Sequence, residues 1–75
     1  MYEVTLSASI EDCDIIEQIF NSRFKKVYKY NKKLLNSKEL KFSAVVSTKS
    51  SLKDINELFR SVQNIESIEI REYYD

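Results

Sequence analysis

Cys13 stands inside an acidic run, Glu11-Asp12-Cys13-Asp14-Ile15-Ile16-Glu17, in a sequence of 75 residues that contains no histidine. A soft-metal site of the C-x-x-C kind needs a second thiol three residues on, and Ile16 occupies that place. The same single thiol excludes an internal disulfide and points to a reducing, cytoplasmic compartment. Four carboxylates crowded at the start of a helix are what the unpaired N–H groups and the helix dipole favour. A hard cation such as Mg²⁺ is the other use for them, which makes a cation-sensing domain one alternative function. Histidine, the commonest general base, is missing. The segment Ser7-Ala8-Ser9-Ile10-Glu11 has neither the glycine nor the arginine of a phosphate-cradling loop. The expectation is a non-catalytic protein with no cofactor and no metal site.

A second grouping is basic and aromatic. Between Arg23 and Lys41 there are eight basic residues and one acid, a net +7, and the rest of the chain carries −7, so the formal charge is zero. Lysine on an edge strand keeps that edge from pairing with other chains, and this accounts for much of the run. The alternative is a binding surface for an anion, nucleic acid included, with Lys29, Lys32 and Lys33 as contacts. Recognition of single-stranded RNA on a sheet needs aromatic rings on the exposed face of the central strands. The outward positions there are Thr5, Ser7, Lys41, Ser43 and Val45, whereas Tyr28 and Tyr30 alternate onto one face of an edge strand. Nucleic acid is therefore the less favoured partner. The small polar positions Thr5, Ser7 and Ser43, with Val45, suit flat packing against a second copy, so a homodimer through the open sheet face is expected.

The elements that position these groups follow from periodicity. Tyr2, Val4, Leu6 and Ala8 alternate with polar residues, the pattern of a half-buried strand. Ile15, Ile16, Ile19, Phe20 and Phe24 recur at helical spacing, predicting a helix over about 12–24. Its start is left open between two capping-box spacings, Ser9 with Asp12 and Asp14 with Glu17. Two strand-like runs then flank a turn at Asn36-Ser37-Lys38-Glu39, the second carrying Leu40, Phe42, Ala44 and Val46 on one side. Ser51 with Asp54 reads as a capping box for a second helix, buried through Leu52, Ile55, Leu58, Phe59 and Val62. Ile65, Ile68 and Ile70 belong to a closing strand. With no glycine or proline, the turns must rely on Asn and Ser.

The order strand, helix, strand, strand, helix, strand predicts an α+β, ferredoxin-like βαββαβ sandwich: a four-stranded antiparallel sheet with two helices on one face. The chain is one domain, near the lower size limit for folding without metals or disulfides. Self-association would add to so small a core. No signal peptide and no apolar run of membrane-spanning length stand in the sequence. Met1 leads directly into a strand, as in a minimal domain or one excised from a longer polypeptide.

Tyr2-Glu3-Val4-Thr5-Leu6, followed by the acidic crossover and Ile15-Ile16-Glu17-Gln18-Ile19-Phe20, resembles the opening of ACT and ACT-like regulatory domains. Leu58 to Ile70 resembles their ending, a helix leading through a short turn into a strand. Across nearly the whole chain the pattern is similar to the ACT-like cytoplasmic C-terminal domain of MgtC/SapB-type bacterial membrane proteins. The resemblance implies a regulatory or protein-interaction domain, acting by self-association or by partner or ligand binding. Contact with a membrane would then come through a tethered upstream segment. Amino-acid-binding members carry a glycine after the first strand; Cys13-Asp14 stands in that neighbourhood here, so no ligand residue transfers.

Overall fold

A computed structural model describes residues 1–74. It contains β1 (Tyr2–Ser9), α1 (Cys13–Ser22), β2 (Lys26–Leu34), β3 (Glu39–Ser47), α2 (Leu52–Phe59) and β4 (Ile65–Glu72). The four strands form one antiparallel sheet in the order β2-β3-β1-β4. This α+β arrangement is compatible with a ferredoxin-like fold. No helix among the described residues is long and apolar enough to cross a membrane.

The two-residue alternation of β1 and β3 decides which side becomes the core. Val4, Leu6 and Ala8 join Leu40, Phe42, Ala44 and Val46 on one face, where Ile16, Ile19 and Phe20 of α1 and Ile55 and Phe59 of α2 cover them. Phe24 and Val62 lie just beyond the two helices and still enter the core. Ile15 and Leu52, expected on the buried stripes, are instead exposed. Each stands in the first turn of its helix.

The entry into α1 differs from both expected capping boxes. A single 3-10 turn at Ile10–Asp12 comes first, capped by Ser9, whose hydroxyl accepts the Glu11 N–H at 3.3 Å. Asp12 makes no side-chain cap to α1; its carboxylate accepts the Asn64 N–H at 3.2 Å and so ties the crossover to the loop before β4. The helix ends at Ser22 rather than at Phe24. At α2 the Ser51/Asp54 box forms in both directions, with Asp54 N–H donating to the Ser51 hydroxyl at 3.3 Å. The hairpin turn also forms where expected. The Asn36 side-chain oxygen Oδ1 accepts the Lys38 and Glu39 N–H groups at 2.8 and 3.0 Å, an Asx-type turn that needs no glycine.

One irregularity reorganises the basic strand. Tyr28 is opposite Val45 and Asn31 is opposite Ser43, so Lys29 and Tyr30 together face a single residue of β3. This is a β-bulge. Lys29 carries it with φ of 51°, in the left-handed region that non-glycine residues occupy at some cost. Tyr28 and Tyr30 therefore do not share a face. Tyr28 stands with Val45 on the uncovered side, while Tyr30 turns to the helix side and meets Phe20 edge-on at 5.6 Å between ring centroids.

Candidate functional site

Two places gather the residues singled out above. The first lies where α1 passes the edge strand β2. Cys13 and Glu17 are one helical turn apart, and the bulge brings Tyr30 and Lys32 over them. The Tyr30 hydroxyl donates to Glu17 Oε2 at 2.9 Å, and Lys32 Nζ donates to the same oxygen at 3.2 Å. The Cys13 thiol donates to Glu17 Oε1 at 3.7 Å, and Lys32 Nζ lies 3.7 Å from the sulfur.

These contacts fix the protonation states. Hydrogen bonds from Tyr30 and then Lys32 hold the Glu17 carboxyl below its ordinary range. Burial, and then the Glu17 carboxylate it serves, push the Tyr30 phenol well above its ordinary value. The hydrogen bond to Glu17 raises the Lys32 ammonium. Desolvation, followed by the negative charge of Glu17, raises the Cys13 thiol. A thiol held protonated is a poor nucleophile and a poor metal ligand. Cys13, Asp14 and Glu17 do place one ligand atom each within 4.8 Å of one another. The Lys32 ammonium, however, already sits against two of them, where a bound cation would be repelled. The four acids of the crossover do not converge: Asp12 is committed to Asn64. The arrangement is a clasp between α1 and β2, and sequence reasoning missed it because only the bulge turns Tyr30 toward the helix.

The second place is the sheet face opposite the helices. Thr5 pairs with Ser43 and Ser7 with Lys41 at its centre. The Ser7 and Ser67 hydroxyls bond at 2.8 Å, and Arg71 bridges Glu3 and Glu69 at 2.8 and 3.1 Å. Lys26, Lys33 and Lys41 also belong to this face by register. Val45 is there as expected, yet it is only 4 % exposed. A shallow recess of about 390 Å³ above it is walled by Met1, Tyr28, Lys29 and Tyr73. Lys29 Nζ reaches across to the Tyr73 hydroxyl at 2.8 Å and lies 5.3 Å from that ring's centroid. Of the candidate contacts, Thr5, Ser7, Ser43, Val45, Lys29 and Lys33 are thus brought to one face. Lys32 is not; it faces α1.

Compared with known proteins, the chain matches no family model, no curated protein and no solved structure.

Proposed function

We propose that this chain is a binding domain of ferredoxin-like, ACT-like fold, acting through the uncovered face of its sheet and without a covalent step of its own. The antiparallel order β2-β3-β1-β4, with both helices packed on one side, supports that fold. The resemblance of the sequence pattern, across nearly the whole chain, to the ACT-like tails of MgtC/SapB-type bacterial membrane proteins extends the proposal to a regulatory role beside such a membrane domain.

One observation carries the proposal. The centre of the bare face carries the small polar residues Thr5, Ser7 and Ser43 with Lys41 beside Ser7, and it is bordered by the tyrosines that cover Val45. A second copy is the first partner to test. Strands ~4.8 Å apart with a rise of ~3.3 Å per residue give this face a footprint of roughly 500 Å². Two copies face to face would bury on the order of 1,000 Å², the lower limit of specific interfaces, so a weak dimer is expected. A twofold axis along the strands would set the lysine-bearing β2 flank of one copy against the Glu3/Glu69 flank of the other. Sedimentation equilibrium from micromolar to millimolar concentration tests this, with Ser43→Arg placing bulk and charge at the centre. A wild-type monomer throughout, or a dimer indifferent to Ser43→Arg, would remove self-association through this face.

A further inference from the structure

The apex of the β2–β3 hairpin carries apolar side chains that nothing in the fold covers. Leu34 is 60 % exposed and Leu35 48 %, and they are consecutive. Ile10, 38 % exposed, lies on the neighbouring crossover, where its N–H donates to the Lys38 carbonyl at 2.9 Å. A small domain gains by burying such residues, and the two consecutive leucines leave apolar surface in water beside the turn.

Along the hairpin the charge beside these leucines is positive, while Glu11 and Asp12 follow Ile10 in the crossover. Lys33 and Lys41 are directly opposite one another in the hairpin register, a like-charge pair that is unfavourable unless an anion lies between. Lys38 stands in the turn itself. Among the described residues none of these three lysines has an ion-pair partner, whereas Lys32 is held by Glu17. Glu39, the one acid of the apex segment, receives a hydrogen bond from the Asn36 amide at 3.1 Å. Exposed leucines at the base of the turn, with ammonium groups before and after them along the hairpin, match a bilayer surface, whose apolar interior lies beneath anionic headgroups.

We propose that the hairpin apex docks on the surface of an anionic lipid bilayer, with Leu34 and Leu35 entering the headgroup boundary and Lys33, Lys38 and Lys41 on the lipid phosphates. Lys33 and Lys41 also lie on the sheet face that carries the proposed function, whereas Leu34, opposite Leu40, is on the other side and Leu35 lies past the strand, so Leu35→Asn, read by vesicle binding, separates this proposal from self-association read by sedimentation. Nucleic acid would use the lysines but not the leucines, which makes the leucines the discriminating residues.

The experiment is co-sedimentation of the intact chain with vesicles of phosphatidylcholine alone or mixed with phosphatidylserine. Binding is expected only with phosphatidylserine and should weaken as salt rises, since the charges act over about 10 Å at ~0.1 M. Leu35→Asn should lower vesicle affinity roughly tenfold, and Lys33→Gln with Lys41→Gln roughly thirtyfold. These positions are exposed, so unchanged melting temperatures separate lost docking from lost folding. The chain has no tryptophan, so Leu35→Trp gives a single reporter whose emission should shift blue and be quenched by brominated lipid. No binding to phosphatidylserine vesicles at low salt overturns the proposal. So does binding that the lysine changes abolish and Leu35→Asn leaves intact, and in that case a labelled single-stranded oligonucleotide should bind with the same lysine dependence.

Discussion

Replacing Phe20 with leucine tests whether the aromatic hub between the helices holds the fold together. Phe20 is 2 % exposed, and its ring lies 5.4 Å from Phe59, 5.6 Å from Tyr30 and 6.0 Å from Phe24. Leucine keeps the helix and the apolar character but removes three ring carbons. At ~0.8 kcal/mol per buried methylene-sized group the loss is about 2 kcal/mol, to which incomplete collapse of the cavity adds. A chain of this length has a stability of roughly 4–11 kcal/mol, so the variant still folds. Its unfolding entropy, about 2.1 cal/mol/K per residue, sums to ~0.16 kcal/mol/K, and Tm should fall by about 12–15 °C. Thermal and urea melts followed by circular dichroism measure this; the urea midpoint should drop with no change of slope. Leu35→Ala at the exposed apex is the control, expected within ~0.5 kcal/mol of wild type. Combined with Tyr30→Leu, Phe20→Leu should show a coupling of roughly 0.5–1.5 kcal/mol from the edge-on ring pair. A Tm shift below ~4 °C, or strict additivity with Tyr30→Leu, would refute the hub.

Three further outcomes follow from the same contacts. Glu17, whose folded carboxyl titrates below its ordinary value, contributes stability that is present above the unfolded carboxylate range and is lost as pH falls through the folded value. Tyr30→Phe should move the Glu17 titration upward by carboxyl NMR and flatten the pH dependence of Tm in that acidic window; an unmoved titration would refute the clasp. Cys13 should react with iodoacetamide more slowly at neutral pH than a free thiol, and Glu17→Gln should speed it; equal rates in the two proteins would count against the charge effect. Ser51→Ala removes the α2 cap and should cost about 0.5–1 kcal/mol, or roughly 3–6 °C in Tm, because a helix of only eight residues depends on its first turn. An unchanged Tm would show that packing of Ile55 and Phe59 alone fixes that helix.

Much of the fold is legible because apolar spacing acts at every position of an element. The alternation of β1 and β3, the Ser51/Asp54 box and the Asn36 turn all read directly from neighbouring residues. What is not legible depends on one residue adopting an unusual backbone. Lys29 has a side chain that gives no hint of positive φ, since glycine or asparagine would be the expected occupant. Its bulge separates Tyr28 from Tyr30 and creates the clasp on Glu17 by turning Tyr30 and Lys32 to the helix side. Sequence alternation cannot anticipate an inserted residue, because every position beyond it changes face. The burial of Val45 was hidden for a related reason. Its cover comes from Met1, Tyr28 and Tyr73, distant in sequence and joined only by the completed sheet.

The pairing of β1 with β4 also bears on how quickly the domain assembles. Tyr2 is opposite Glu72, and the Tyr73 N–H donates to the Met1 carbonyl at 2.9 Å, so the chain's first and last strands must meet before this half of the sheet exists. Closing a loop of nearly the whole chain rather than a hairpin turn costs about 2–3 kcal/mol of additional entropy, the kind of non-local contact that slows folding. Linking the two ends and opening the Asn36–Lys38 turn would transfer that cost from the β1–β4 pair to the β2–β3 pair without altering a core contact. The folding rate of such a permutant would then reveal the order of events. It would rise if the transition state already joins β1 to β4, and fall if the basic hairpin forms first.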